Sequence, residues 1–271
     1  MLNNSFKLSK YRFTLEALDN ISLPAYKGST FHGGIGHALM QISPIWYRYF
    51  YEPQQGWPKP YVILPPLDEQ EHYPKGQQFT LEITLIGEAT QHYAIMQAAV
   101  EYLGLRMGLG YEQGRYKIIG ITNTKPKPKQ ATQTQKITLK LPTRLRLKSK
   151  NRLLKQTPNF QLIITRLLGR IKTLEKAYMN KQMPHNDYYG LINKAKDIKI
   201  KNSHIKWDDW DRFSGSQRKW MKFGGLMGEI TYSGDLQPFM EALELGEWVH
   251  IGGKTSFGLG KYELTKQRVS L

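Results

Sequence analysis

Two apolar periodicities alternate along the first 124 residues. A period of two predicts strands, and a period of three to four predicts amphipathic helices. On this basis strands are expected at residues 11–21, 61–64, 79–85 and 116–121, and helices at residues 30–42 and 92–105. The order strand, helix, strand, strand, helix, strand is typical of a ferredoxin-like (RRM-like, βαββαβ) unit. We therefore predict an N-terminal ferredoxin-like domain over residues 1–124.

The first predicted helix carries the clearest boundary signals. Ser29 or Thr30 is suited to cap its start, and Pro44 is expected to end it. Its apolar side chains fall on one stripe, which should face a core. The stripe comprises Ile35, Leu39, Ile42 and Trp46.

The second half of the chain repeats the same order. A polar, proline-interrupted segment at residues 125–135 is interpreted as a linker. In residues 136–148 the apolar side chains take odd positions and the cations even ones, which predicts a strand with one buried and one exposed face, bulged at Pro142. The remaining elements are predicted as a helix at 160–178, an extended region at 198–210, a strand at 223–232, a helix at 235–249 and a strand at 261–264. We thus expect a C-terminal domain over residues 136–271, and an α+β fold of two tandem ferredoxin-like domains.

Both predicted domains also end alike. Each finishes with a helix, a glycine-rich loop, a basic residue followed by tyrosine, and a strand, at Arg115-Tyr116 and at Lys261-Tyr262. Duplication of one unit is the simplest interpretation, and the alternative is that two unrelated copies of a common unit look alike.

Positive charge is concentrated in one region. The chain of 271 residues has a net charge of +17, yet residues 125–222 hold 25 basic and 6 acidic residues, so the remainder sums to −2. No acidic residue lies between Glu112 and Glu175. Charge segregated in this way indicates a polyanionic partner, in particular nucleic acid, rather than a merely solvated basic face.

Several classes of protein are excluded by composition. The absence of cysteine rules out disulfides, thiolate metal sites and cysteine nucleophiles. No run of about 20 apolar residues could span a membrane, and the first residues lack the layout of a signal peptide. We expect a cytoplasmic protein without a membrane partner.

Both ends of the chain carry a recognisable motif. The run FGGLMGEITYSGDLQPFMEALELGEWVHIGGKTSFGLGKYEL begins at Phe223, and the small-residue helix GSTFHGGIGHALM begins at Gly28. Together they resemble the CRISPR-associated RAMP endoribonucleases that process precursor CRISPR RNA, the sixth CRISPR-associated protein family. The resemblance implies metal-independent cleavage of CRISPR repeat RNA, usually on the 3′ side of a stem-loop, without a cofactor. It further implies that the ribose 2′-hydroxyl is the nucleophile and that a 2′,3′-cyclic phosphate is left.

The C-terminal glycine-rich loop has the composition of an anion-binding site. Glycines let backbone N–H groups approach a phosphate, while lysine and hydroxyl side chains add donors. The predicted RNA contacts in this loop are Gly252, Gly253, Lys254, Thr255, Ser256, Gly258 and Gly260. It is not a Walker A loop, because Trp248 replaces the required glycine and a helix precedes it. The alternative interpretation is a tight turn whose glycines adopt positive φ.

The first helix supplies the candidate proton carriers. Helical geometry directs His37 away from the apolar stripe and places His32 near its edge. Glycine is a poor helix former, so the presence of Gly33, Gly34 and Gly36 suggests that a large group packs closely against this turn of the helix. On the resemblance, His37 is the candidate general acid or base and His32 the second candidate, unless both are packing or surface histidines. Lys27 and Tyr47 flank the helix and are candidates for the cation and a proton donor.

The expected RNA-binding track follows the basic region. It comprises Lys136, Lys140, Arg144, Arg146, Lys148, Arg166 and Arg170, with Tyr188, Tyr189, Trp207, Trp210 and Trp220 as candidates for base stacking. Asp208, Asp209 and Asp211 are interpreted as solvated acids and not as a magnesium site.

The leading hypothesis is an endoribonuclease whose partners are CRISPR repeat RNA, as precursor and mature guide, and other CRISPR effector proteins. The alternative is a noncatalytic RAMP-type RNA-binding subunit of an effector complex. A generic basic RNA-binding protein fits the charge but not the C-terminal loop.

Overall fold

A computed structural model describes residues 6–126, 134–180, 185–209, 211–214 and 219–267. Within the first half the elements are β1 (Leu8–Ala17), β2 (Ile21–Ser22), α1 (Gly28–Ile42), α2 (Pro44–Tyr51), β3 (Tyr61–Leu64), β4 (His72–Tyr73), β5 (Gln78–Ile86), α3 (Tyr93–Tyr102) and β6 (Tyr116–Thr124). The centre of the predicted linker, residues 127–133, lies outside the described residues.

The second half contains the corresponding set. Its elements are β7 (Lys136–Leu145), β8 (Lys148–Ser149), β9 (Arg152–Leu153), α4 (Phe160–Tyr178), α5 (His185–Lys194), β10 (Lys199–Asp208), β11 (Asp211–Ser214), β12 (Lys219–Lys222), β13 (Gly225–Ser233), α6 (Met240–Val249) and β14 (Glu263–Gln267). Of the predicted stacking residues, Trp210 and the side chain of Trp220 fall outside the described part.

Two four-stranded antiparallel sheets share one strand order. The first runs β3-β5-β1-β6 and the second β10-β13-β7-β14. In each, the second strand of the unit pairs with the third, the third with the first, and the first with the fourth, which is the ferredoxin-like arrangement. The predicted fold class, two tandem ferredoxin-like domains, is confirmed.

The repeated basic residue and tyrosine occupy equivalent positions in the two units. The hydroxyl of Tyr116 donates to the carbonyl oxygen of Val100 at 2.8 Å, and that of Tyr262 donates to the carbonyl of Leu243. Each tyrosine is completely buried. The shared contact with the preceding helix, together with the shared strand order, supports the interpretation as a duplication.

The first helix ends at Ile42 as predicted, but it starts earlier and is followed directly by a second helix. α1 begins at Gly28 with Lys27 as its N-cap, and neither predicted cap residue provides a side-chain cap. Pro44 follows the end of α1 and is also the first residue of α2. At the first position of a helix, the missing N–H of proline removes no helical hydrogen bond. Trp46 therefore lies on a second helix, and Ile42, predicted to face the core, is 37% exposed.

The last helix and strand are shifted relative to the prediction. α6 begins at Met240 rather than at residue 235, because a short 3₁₀ turn containing Pro238 precedes it. The final strand is β14 at Glu263–Gln267, which starts two residues and ends three residues later than expected. None of the helices in the described residues has the length and apolar composition needed to cross a bilayer.

The alternating strand predicted over residues 136–148 is confirmed as far as Leu145, where β7 ends. Leu139, Leu141 and Leu145 are buried, and Thr143 at the one polar odd position is buried as well. The pairing of β7 with β13 shifts register between Leu141 and Leu145, which is the irregularity predicted at Pro142. This strand places its cations on the sheet face opposite α4 and α6.

The two domains pack directly against each other. Val62 and Ile86 of the first sheet belong to the apolar core of the second domain. The hydroxyl of Tyr178 on α4 donates to the carbonyl oxygen of Pro58 at 2.6 Å. We call this contact surface, formed in part by Pro58, Val62, Ile86 and Tyr178, the interdomain seam. At the seam the C-terminal loop lies against α1, and the candidate site is formed there.

Candidate functional site

The glycines of the C-terminal loop are required by its backbone path. Gly252, Gly258 and Gly260 have φ of +85°, +87° and +72°. A Cβ on Gly260 would lie 1.8 Å from the carbonyl oxygen of Ile251. The alternative interpretation as a turn is thus correct for these three glycines, and Gly258 and Gly260 are buried.

Only part of the loop is available to a phosphate. Thr255 and Ser256 are 7% and 9% exposed, so the expected RNA contacts by their hydroxyls are not supported. Gly253 and Lys254 are exposed and Gly252 is half-buried. The segment that could contact RNA is therefore residues 252–254.

Replacing Gly260 by alanine should destabilise the fold. A left-handed conformation costs an L-residue about 1–2 kcal/mol before any clash, and here the new methyl would also overlap the Ile251 carbonyl. We expect a loss of at least about 2 kcal/mol in the free energy of unfolding measured with urea. Gly253→Ala is the matched control, because its Cβ would meet nothing closer than 3.8 Å. Equal stability of the two variants would contradict the prediction.

The remainder of the loop joins the two domains. The hydroxyl of Tyr26 donates to the carbonyl oxygen of Phe257 at 2.8 Å. The ring of Phe257 stacks on His32, with centroids 3.9 Å apart and planes inclined by 13°. The hydroxyl of Tyr51 donates to the carbonyl oxygen of His32 at 2.6 Å. His32 is thereby held half-buried at the seam.

The two candidate histidines do not converge. His37 is exposed on α1, as predicted. Five residues along a helix rotate a side chain by about 500°, so His37 points about 140° away from His32. His32 faces the second domain, whereas His37 faces solvent and is accessible to a bound macromolecule.

Lys27 does not have the position that its predicted role requires. Its side chain is completely buried, pairs with Asp68 at 3.0 Å and donates to the carbonyl oxygen of Ala25 at 2.9 Å. Burial alone would raise the pKa of Asp68, but hydrogen bonds from Lys27 and Tyr73 lower it overall. Lys27 therefore stabilises the start of α1 and is not available to a phosphate.

Tyr47 lies beside the seam. It is half-buried, and its ring stacks on that of Tyr51 at 5.4 Å with planes inclined by 12°. Since Tyr51 binds the backbone of His32, Tyr47 is connected to the seam through one intervening ring.

Lys59 is a candidate that the sequence analysis did not include. Its ammonium donates to the carbonyl oxygen of Tyr51 and lies 4.7 Å from the centroid of that ring. Burial lowers the pKa of Lys59 to about 8; Glu52 opposes this shift and the charge of Lys254 adds to it. A lysine of each domain therefore contributes positive potential to the seam. The sequence offers no signal beyond a lysine between two prolines.

Two of the glycines around the histidines have an internal explanation. A Cβ on Gly34 would lie 2.8 Å from the side chain of Leu103, and one on Gly36 would lie 2.6 Å from the ring of Tyr51. Nothing lies within 4 Å of a Cβ on Gly33. The close approach inferred from these glycines is thus packing within the first domain at Gly34 and Gly36.

The basic track along β7 is partly neutralised. Lys140 is paired in register with Glu229 on one side and Glu263 on the other. Arg144 forms an ion pair with Asp208 at 2.6 Å and is 16% exposed. Lys136 is half-buried. The cationic face of this strand is therefore weaker than the sequence predicts, because acids on neighbouring strands face it.

The acidic residues at and just after the end of β10 are not simply solvated. Asp208 binds Arg144, and Asp209 accepts a hydrogen bond of 2.7 Å from the indole nitrogen of Trp207. The side chain of Asp211 lies outside the described residues. The two described aspartates thus have separate partners and different structural roles.

The other predicted cations surround one groove. It has a volume of about 790 Å³ and lies beside α4, between residues 56–58 of the first domain and residues 252–254. The basic side chains that line it are Arg146, Lys148, Arg166, Arg170 and Lys254. The structure thus brings together the second part of the predicted track and the exposed part of the glycine-rich loop.

Comparison with protein families gives two matches. A family model described as an N-terminal domain matches residues 6–144. A model described as CRISPR-associated endoribonuclease Cas6 matches residues 137–262. No curated protein matches the chain in sequence.

Solved Cas6 structures are similar in fold. A Cas6 product complex has a TM-score of 0.70 at 17% identity, covering 96% of this chain and 100% of that chain. Thermus thermophilus Cas6 has a TM-score of 0.62 at 16% identity, covering 96% and 99%. A partial Cas6-RT-Cas1–Cas2 complex has a TM-score of 0.66 at 16% identity, covering 100% and 48%. The match of residues 137–262 to the Cas6 endoribonuclease model, together with two ferredoxin-like units and a glycine-rich loop before the last strand, supports a CRISPR-associated protein of the Cas6 RAMP type.

Proposed function

We propose that this protein cleaves precursor CRISPR RNA within its repeats by attack of a ribose 2′-hydroxyl, without a metal ion. The products are a 2′,3′-cyclic phosphate on one fragment and a 5′-hydroxyl on the other. The observation that carries the proposal is the seam, where Lys59 and Lys254 from different domains lie near the histidine-bearing helix α1.

The reaction needs three kinds of group. A base takes the proton of the 2′-hydroxyl, the freed oxygen forms a bond to phosphorus, and the bond to the 5′ oxygen breaks as that oxygen receives a proton. A cation stabilises the charge that accumulates on the phosphorane. Both Lys59 and Lys254 lie on the side of α1 that His32 faces, and they are proposed to supply that cation if His32 is the proton carrier.

The histidine on α1 is proposed as the proton carrier. His37 is the first assignment, because it is exposed to a macromolecular substrate. His32 is the second, because its stack on Phe257 places it next to the glycine-rich loop. The first assignment predicts that His37→Ala slows cleavage through loss of the proton carrier and that His32→Ala does not, and the second assignment predicts the reverse.

The proposed partners follow from the proposed reaction. Precursor and mature CRISPR RNA are the expected ligands of the basic surface. Other CRISPR proteins are proposed as further partners, with support from the structural neighbour named as a Cas6-RT-Cas1–Cas2 complex. The alternative function, a noncatalytic RNA-binding subunit, predicts bound RNA that is never cleaved.

Cleavage should lose rate at alkaline pH because of Lys59. Its pKa of about 8 means that the ammonium is charged below this pH and neutral above it. If Lys59 stabilises the phosphorane, the single-turnover rate should fall about tenfold per pH unit above pH 8. In the Lys59→Arg variant, the fall in rate should begin at a higher pH, because arginine stays charged. In Lys75→Arg, an exposed control, the fall should begin at the same pH as in the wild type. The same profile in all three proteins would reject this role.

A further inference from the structure

The groove beside α4 has three walls of different origin. Residues 56–58 of the first domain, α4 itself and the loop segment 252–254 enclose it, and Leu153 of the short β8–β9 hairpin also lines it. Its volume of about 790 Å³ lies within the range of small-ligand pockets. A double helix is far too large for this space, whereas an unpaired strand of a few nucleotides is not.

The charge of the groove is of one sign. Five cations line it and none of its described lining residues is acidic. Some of their donors are already used: Arg166 donates from Nη2 to the carbonyl oxygen of Lys148 at 2.6 Å, and Arg146 donates to the carbonyl of Gly224. These bonds fix the guanidinium groups in place and leave their other N–H donors for a ligand.

Arg170 lies on the α4 wall with an unsatisfied donor. Its Nε donates to the carbonyl oxygen of Val249 at 2.8 Å. Its Nη2 is buried, and no acceptor among the described residues is within hydrogen-bonding distance. A buried cationic donor without an acceptor is costly. An anionic oxygen entering the groove would satisfy it, and a phosphodiester carries such oxygens.

Two aromatic side chains line the same groove. Trp57 comes from the first domain and Tyr188 from α5. The ammonium of Lys172 lies 4.8 Å from the ring centroid of Tyr188, which adds positive potential on that side. Aromatic rings beside a cationic track are typical of sites for single-stranded nucleic acid, because every base can stack on them.

We propose that this groove binds an unpaired segment of RNA, with a phosphate on Arg170 and Arg166 and bases stacked on Trp57 and Tyr188. The proposal rests on the proposed function in that RNA is the substrate. Lys254 connects the groove with the seam, because it lines the groove and its ammonium lies 5.8 Å from the ring of Phe257, which stacks on His32. A strand held in the groove would therefore continue toward the proposed cleavage site.

The test measures binding without cleavage. Fluorescein-labelled hexauridylate and a six-base-pair RNA duplex are titrated with the full chain, and affinity is read by anisotropy. Arg170→Met should weaken hexauridylate binding at least about tenfold, and Trp57→Leu and Tyr188→Leu at least about fivefold each. Arg106→Met, an exposed arginine outside the groove, is the control and should change nothing. Since Arg170 is largely buried and its loss could unfold the protein, exposed Arg166→Gln provides a second variant with the same expected direction.

Distinct results overturn the inference. Unchanged hexauridylate affinity in both arginine variants would reject the groove as a binding site. Unchanged affinity in both aromatic variants would show an anion site only and reject base stacking. An equal loss of duplex binding would reject the preference for a single strand. If wild-type protein binds hexauridylate through the groove but never cleaves repeat RNA, the proposed function fails while this inference stands. If repeat RNA is cleaved and groove variants bind hexauridylate normally, the inference fails alone.

Discussion

Replacing His37 by alanine should slow single-turnover cleavage of CRISPR repeat RNA at least about 100-fold, the usual contribution of a general acid or base. RNA affinity should stay nearly constant, because the exposed His37 is not among the residues that line the basic groove. Stability should also change little, since an exposed side chain contributes little packing. The measurements are the single-turnover rate with excess enzyme, the affinity of the same RNA, and the urea midpoint.

Two further variants make this result specific. His72→Ala removes another exposed histidine and should leave the rate unchanged. His32→Ala removes the ring that stacks on Phe257 and should lower the stability of the interdomain seam. If His32→Ala loses the rate at equal stability and His37→Ala does not, the second assignment replaces the first. If neither variant slows cleavage, the proton carrier is not on α1.

A repeat RNA with a single 2′-deoxyribose at the cleavage position should not be cleaved. The modification removes the proposed nucleophile and leaves the phosphate charge, the bases and the fold of the RNA nearly unchanged. Affinity should therefore be retained, while the rate falls below detection. Deoxyribose one nucleotide further 5′ is the matched control and should be cleaved normally.

The deoxyribose experiment separates two mechanisms of chain cleavage. In the proposed reaction the attacking oxygen belongs to the substrate, so its removal stops all product formation. If water were the nucleophile instead, the modified RNA would still be cut at the same bond. Normal cleavage of the modified RNA would thus contradict attack by the 2′-hydroxyl. It would not contradict the similarity of the chain to Cas6 endoribonucleases.

The sequence predicts those features that depend on local pattern. Strand β7 follows from strict alternation, and α4 from an apolar stripe that spans five turns and is buried throughout. The fold class follows from the order of such elements in both halves. Pro44 shows the limit of local signals, because proline is equally suited to end one helix and to begin the next.

The composition of the site is predictable and its geometry is not. The sequence shows that the loop contains glycine, lysine and hydroxyl residues, but it gives no signal for the close packing of Gly258 against Ile63 of the first domain or for the burial of Ser256. Likewise, the sequence around Lys140 predicts a cation without acidic neighbours, whereas the strand register places Glu229 and Glu263 beside it.

Lys59 illustrates the same limit for electrostatics. Its pKa is lowered by burial against Tyr51 and by a lysine that lies almost 200 positions further along the chain. Neither influence has a counterpart in the neighbouring sequence, where Lys59 is simply a basic residue between two prolines. The role of a residue whose pKa depends on both domains can be assigned only when the arrangement of the two domains is known.

The end group formed by cleavage in excess EDTA tests the central claim most directly. Purified protein is incubated with its repeat RNA under these conditions, and the 3′ end of the upstream fragment is identified by mass spectrometry. The account predicts undiminished cleavage and a 2′,3′-cyclic phosphate. No cleavage in EDTA with recovery on adding magnesium, or a 3′-hydroxyl with phosphate on the downstream fragment, would contradict it.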